Sequence, residues 1–293
     1  MAEIVFSPEK REAEFNRFIV SEYLRYGSVD EVFKHNDYKL PISYPGVQRL
    51  LDKWGIVKAA GPNTRLSEAL AFLSQLSNEK VPLETLYRNM PPSFKTSMGT
   101  LHRILTHIRE GTIRRVGTAL ILSPEANPNL VLVGNDIATP RLNVGKPYGA
   151  VSLPMGYSRR TENRQTSILR VLQQEVFTRQ AIERSLAFDE VIGSPSPFMF
   201  IDIADVRVAV YHLTLPDWLG SLGNFSSFKI RNHRYFHTSE IIGGRAAFRS
   251  GIREIGLGYK RFLGEEKRDF GLSPIWEKAF LNVELALNLA PER

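Results

Sequence analysis

Residues 153–177 read "LPMGYSRRTENRQTSILRVLQQEVF". The first half is loop chemistry: Pro154, Gly156 and a run of polar and charged side chains. In the second half Ile168, Leu169, Leu172 and Val176 recur at helical spacing, so this half is expected to be an amphipathic helix. Positions 171, 174 and 175 are three and four apart and share one helix face. That face carries one carboxylate, Glu175, beside the apolar Val171 and the neutral amide of Gln174.

The segments on either side are strands. "VGTALILS" (116–123) and "NLVLVG" (129–134) are apolar runs joined by a turn rich in Pro and Asn. "PFMFIDI" (197–203) and "VRVAVYHLTL" (206–215) are two more. "FKIRNHRYFHTSE" (228–240) reads as a strand and turn whose interleaved basic and aromatic residues also suit contact with a nucleic acid or a ligand base. "IGGRAAF" (242–248) reads as a turn into a helix over 245–263, and a last helix is expected with Ser273 as cap and Pro274 at its first position. The six histidines have no metal-ligand spacing, and no Gly-rich phosphate loop is present.

The texture before residue 116 is all helix. Ser7 and Pro8 can open a first helix, with Phe15, Phe18, Ile19, Tyr23 and Leu24 as its apolar face. A repeat follows at an offset of 54. Asp30-Glu-Val-Phe-Lys-His aligns with Glu84-Thr-Leu-Tyr-Arg-Asn, and Ser43-Tyr-Pro-Gly-Val-Gln-Arg-Leu-Leu with Ser97-Met-Gly-Thr-Leu-His-Arg-Ile-Leu. After a two-residue slip, Gly55-Ile-Val-Lys meets Gly111-Thr-Ile-Arg. Each unit is a short helix, a turn, a capping Ser and a second helix, as in a helix-turn-helix. Ser43 and Ser97 would sit where exposed N–H groups meet phosphate. Gln48, Arg49, His102 and Arg103 lie about a turn further on, placed to read base edges, and Lys53, Lys95 and His107 could follow the DNA backbone. The turn "DYKLPIS" (37–43) is longer than the usual tight one. A helical repeat that only packs against a protein partner is the competing reading.

Bulk properties set outer bounds. The net charge of +7 is spread as +4 over residues 1–115 and +3 beyond, which permits an anionic partner without demanding one. With no cysteine, disulfides and thiolate metal sites are excluded. No apolar run is long enough to span a bilayer, and the charged opening "MAEIVFSPEKREAEFNRF" lacks a signal-peptide core. The expectation is a cytoplasmic protein with no membrane partner. The fold expected is multidomain: helix-turn-helix units over 1–62 and 63–115, then an α+β domain over 116–293.

The central stretch resembles the Nudix box of the Nudix hydrolases, Gly-x5-Glu-x7-Arg-Glu-U-x-Glu-Glu with U aliphatic. Gly156, Glu162, Arg170, Leu172 and Glu175 match, while Val171 and Gln174 replace two glutamates. The resemblance implies a mixed sheet between helices, with box carboxylates holding Mg²⁺ on a pyrophosphate and Arg170 orienting a glutamate. Magnesium requires hard oxygen ligands in octahedral geometry. Only Glu162 and Glu175 remain, so no catalytic residue and no required cofactor are expected; if hydrolysis persists, those two would carry it with weakly held Mg²⁺. Arg159, Arg160 and Arg164 add cations to the loop and, with Gln174, are the expected contacts for a nucleotide-like ligand held without cleavage.

The two parts together resemble bacterial Nudix-related transcription regulators, in which a Nudix domain senses a metabolite such as ADP-ribose. The known members carry the DNA-binding part after the Nudix domain, and this chain carries it first. The resemblance implies a double-stranded DNA partner and a homodimer on paired half-sites, although two modules could also read one long site as a monomer. A divergent hydrolase acting on a nucleoside diphosphate derivative and a non-enzymatic protein-interaction scaffold are the alternatives.

Overall fold

In a computed structural model of the chain, the residues described are 8–59, 84, 115–138, 146–159, 161–193, 195–203, 206–244, 246–266 and 273–279. The expected second helix-turn-helix unit lies outside them apart from residues 84 and 115, so Lys95, Ser97, His102, Arg103 and His107 are not among the described residues; nor are Arg160 and Ser7, the expected first cap.

Strand β1 (Arg115–Pro124) is central to the α+β part. It pairs in parallel with β6 (Val206–Leu215) and antiparallel with β4 (Met155–Ser158). Strand β5 (Met199–Ile203) lies antiparallel on the other side of β6 and carries β8 (Ile275–Lys278) in parallel at the edge, giving a mixed sheet in the order β4-β1-β6-β5-β8. A second, antiparallel sheet runs β3-β2-β7, from Val151–Ser152, Leu130–Asp136 and Ile230–His237.

Burial of β1 on both faces explains its unbroken apolar run. Ala119 and Ile121 face a core shared with Val208, Val210 and helix α8 (Ile252–Glu266), which contributes Ile252, Ile255 and Tyr259. Leu120 and Leu122 face the opposite core, filled by Ile168, Val171, Leu172, Val176 and Phe177. The expected mixed sheet between helices is therefore present.

Those last residues belong to the opening stretch. Helix α4 (Arg164–Val171) starts at Asn163, whose side chain accepts from Thr166 N at 2.7 Å. It passes into a π-helical turn at Leu172–Val176, then α5 (Thr178–Glu183) and α6 (Phe188–Ile192). After β7 comes α7 (Thr238–Gly243), held by a capping box between His237 and Glu240.

Three helices precede the sheet: α1 (Pro8–Tyr26), α2 (Val29–His35) and α3 (Tyr44–Lys53). Ser28 caps α2 and Ser43 caps α3, accepting from Glu31 N and Gly46 N. Their shared core comprises Ile19, Val20, Tyr23, Leu24, Val32, Val47 and Leu51. Ala181 belongs to the same core, and Ile182, Phe188 and Phe228 pack against it. The first helical unit is thus packed onto the α+β part. No helix among the described residues is long and apolar enough to cross a membrane.

Two expectations are corrected. Phe18 does not join the inner face of α1: it is 43% exposed, and Val20 is buried in its place. Ser273 and Pro274 open a strand and not a helix, because Ile275 registers against Met199 and Trp276 stacks on Phe200 at 4.6 Å. Sheet pairing here overrides the local cap signal. The helix expected over 245–263 is α8, which begins at Ile252.

Leu51 is fully enclosed. Leu51→Ala is expected to cost about 2–5 kcal/mol in urea unfolding, as for other buried leucines. Phe18→Ala is expected to change stability by less than about 0.5 kcal/mol, as at other surface positions.

Candidate functional site

The turn after α3 sends the chain onto α4 and its π-helical turn. Gly55 takes a left-handed conformation (φ 64°), and Ile56 N donates to Leu51 O at 2.9 Å. Residues 55–59 then run along α4 and its π-helical turn as a strap. Gln173 grips it twice: Oε1 accepts from Val57 N at 3.0 Å and Nε2 donates to Gly55 O at 2.8 Å. Gln174 Nε2 donates to Val57 O at 3.2 Å, and Arg170 Nε donates to Lys58 O at 2.9 Å. From the helical side, the Tyr23 hydroxyl accepts from Ala59 N at 2.8 Å.

Arg170 is 3% exposed and also donates to Tyr157 O at 3.0 Å. Its Nη2 pairs with the Glu162 carboxylate, so the Glu and Arg of the opening stretch meet directly. The other oxygen of Glu162 accepts from Arg159 N at 3.1 Å. Burial, followed by the charge of Arg159, lowers the Arg170 pKa to about 10, still far above neutrality.

Strap, helix and sheet line an open cavity of about 450 Å³, a size typical of small-molecule sites. Gly156, Val171, Gln174 and Glu175 line it from the opening stretch, and Arg25, Tyr26, Gly27 and Ala59 from the helical unit. Arg170 lines it too, together with Lys146, Lys229 and Arg249. Five cationic side chains thus face one carboxyl group. Asp136, just behind, pairs with Lys146 (3.1 Å) and Arg249 (3.5 Å).

Glu175 is the carboxyl group in this wall. Its Oε2 accepts from Met155 N at 2.7 Å, and its carbonyl accepts from His233 Nε2 at 2.9 Å. Burial and the negative charge of Asp136 push its pKa up to about 7, against the opposing pull of Lys229 and Lys146. Burial lowers the pKa of Lys229 and of Lys146. The Lys229 ammonium donates to Gln174 Oε1.

Of the expected ligand contacts, Gln174 lines the cavity, whereas Arg159 and Arg164 are exposed and are not part of its wall. Of the two carboxylates expected to hold a metal, Glu175 lines the cavity and Glu162 is engaged by Arg170 outside the wall. The sequence reading did not single out Lys146, Lys229, Arg249 or Arg25. One signal was available: Phe228 and Lys229 open the basic and aromatic stretch 228–240, and both line the cavity. On α3, Ser43, Gln48, Arg49 and Lys53 are all exposed.

No family model and no curated protein matches the chain. Among solved structures, it is similar to a NUDIX hydrolase from Nitrosomonas europaea, at 18% identity over 56% of this chain and 77% of that one, with a TM-score of 0.36. It is similar to a MutT protein from Methanosarcina mazei, at 12% identity over 53% of this chain and 97% of that one, with a TM-score of 0.38. It is also similar to NrtR from Shewanella oneidensis, at 12% identity over 52% and 65% of the two chains, with a TM-score of 0.36. At identities and TM-scores of this size, what the chain does rests on its own residues.

The Glu175 shift gives a pH dependence. Its folded pKa of about 7 lies above the ordinary 4.5, so its stabilising contribution is complete below pH 4.5 and is lost as pH rises through 7. Glu175→Gln lacks this loss. Chemical unfolding of both proteins between pH 4.5 and 8 should show the variant gaining on wild type by about 3 kcal/mol. Parallel profiles would contradict the shift.

Proposed function

We propose that the chain is a DNA-binding regulator whose Nudix-like domain senses a nucleotide-type metabolite and does not depend on hydrolysing it. The observation that carries this reading is the strap. Residues 55–59 follow α3 and are bonded to Arg170, Gln173 and Gln174, on the helical segment that forms the cavity wall. Arg25, Tyr26, Gly27 and Ala59 complete that wall from the helical side. A ligand in the cavity therefore touches both parts at once. Any preference it has for one arrangement of the helical unit becomes a bias on what that unit binds, and the coupling is reciprocal. The exposed Gln48, Arg49 and Lys53 on α3, with Ser43 at its start, are the side chains proposed to meet DNA. The cationic wall favours the phosphates of a nucleotide such as ADP-ribose, and homodimerisation would match paired half-sites.

The test is selection of binding sites from random duplexes by the full-length protein, followed by a salt titration. Sequence-selective enrichment with affinity falling steeply as salt rises is the expected result. Arg49→Ala should weaken the selected complex by about 5- to 100-fold. No binding at low salt would remove the regulator reading. ADP-ribose is expected to bind and to shift the DNA affinity; Gln173→Ala, which releases both bonds to the strap from outside the cavity wall, should leave ADP-ribose affinity near wild type and reduce the shift. Metal-dependent release of a nucleoside monophosphate, lost in Glu175→Gln, would assign the divergent-hydrolase alternative instead.

A further inference from the structure

The cavity wall does not suit the divalent cation that the resemblance implies. Val171 has no donor atom, and Gln174 Oε1 already accepts from Lys229. Glu175 accepts from Met155 N, and Glu162 is taken by Arg170. Among the described residues, no three His, Asp or Glu side chains are grouped to hold a metal ion. The positive charge at this point comes from the protein. Lys229 lies within the fields of Glu175 and Asp136, and Lys146 and Arg249 are paired to Asp136 beside it. Arg249 also has a buried Nε without a hydrogen-bond partner among the described residues.

We propose that the Lys229 ammonium takes the place of the divalent cation, so that the cavity binds a pyrophosphate-bearing ligand directly and without metal. This deepens the ligand-sensing reading above and rests on it. The substitution is chemically coherent. At family spacing, a carboxylate at 174 would face a metal; here a neutral amide at 174 faces an ammonium that needs one acceptor there and no second charge. Lys229 has three N–H donors, of which the bond to Gln174 uses one. Lys146 and Arg249 add donors suited to phosphate oxygens. An ammonium binds phosphate, but it does not generate a metal-bound hydroxide. The same exchange that secures the anion therefore removes the means of cleaving it.

The test is calorimetric titration of the full-length protein with inorganic pyrophosphate in EDTA, repeated in Mg²⁺. Saturable binding in EDTA that Mg²⁺ does not strengthen is expected. Lys229→Met should lose at least ~10-fold in affinity, the scale of one charge-assisted hydrogen bond, and Lys229→Arg should retain most of it. A second arm uses Mn²⁺ alone, followed by electron paramagnetic resonance. Gln174→Glu should take up Mn²⁺ no better than wild type, because Lys229 neutralises the new carboxylate; Gln174→Glu with Lys229→Met should bind it measurably tighter. Pyrophosphate binding that appears only with Mg²⁺ would overturn the proposal, and this arm needs no variant to fold. Unchanged pyrophosphate affinity in a folded Lys229→Met protein would overturn it as well. If pyrophosphate fails to bind while ADP-ribose still does, this inference falls and the ligand-sensing reading stands. Failure to bind DNA bears only on the regulator reading.

Discussion

A single buried guanidinium joins the three parts of this molecule. Arg170 pairs with Glu162 of the loop, donates to Tyr157 O at the end of β4 and donates to Lys58 O in the strap. The Glu162 carboxylate is enclosed and the two carbonyls are partly so, and polar groups withdrawn from water without a mate are costly. The planar fork of an arginine serves all three from pre-organised directions, which a compact ammonium lacks. The loop is thereby closed against the helix, the helix against the sheet, and the helical unit against both.

From that anchor the cavity takes its character. The helix that carries Arg170 presents Val171, Gln174 and Glu175 to it, while β7 and its approach bring Lys229. Burial destabilises charge of either sign. The carboxyl of Glu175 is pushed toward neutrality and the lysines are drawn down, each restrained by the other's field. A dianionic ligand entering here would restore the balance that the excess of cations leaves open.

How much of this was legible in the sequence depended on range. β1, β6 and α4 could be read because their signal is local: an apolar run buried on both faces, or apolar residues at a helical period. That Arg170 orients a glutamate was implied by a resemblance; that this glutamate is Glu162, expected instead to help hold a metal, is visible only in the fold. Residues 273–278 signal a helix start locally through Ser273-Pro274 and form a strand instead, because the neighbour that decides the matter, Met199, is distant in sequence. Val20 is buried and Phe18 exposed because the face of α1 is chosen by its packing against α2, α3 and Ala181, which no window around residue 20 contains. The cations of the cavity come from separate segments around 25, 146, 229 and 249, and their convergence is a property of the fold alone. The role of Gln173 was hidden for the same reason, since a glutamine beside a motif has no pattern until the strap lies against it.

The strap also sets a schedule for the making of the protein. Val57 and Gln173 are 116 residues apart. At a ribosome adding ~5–20 residues per second, the partner of Val57 emerges roughly 6–23 s after it. Until then, the side of α1 to α3 that packs on Ala181 and Phe188 has no partner to cover it. Contacts of such long sequence separation form slowly even in a finished chain. The contacts of the helical unit with Ala181, Phe188 and Phe228 can therefore be completed only after those residues have been synthesised.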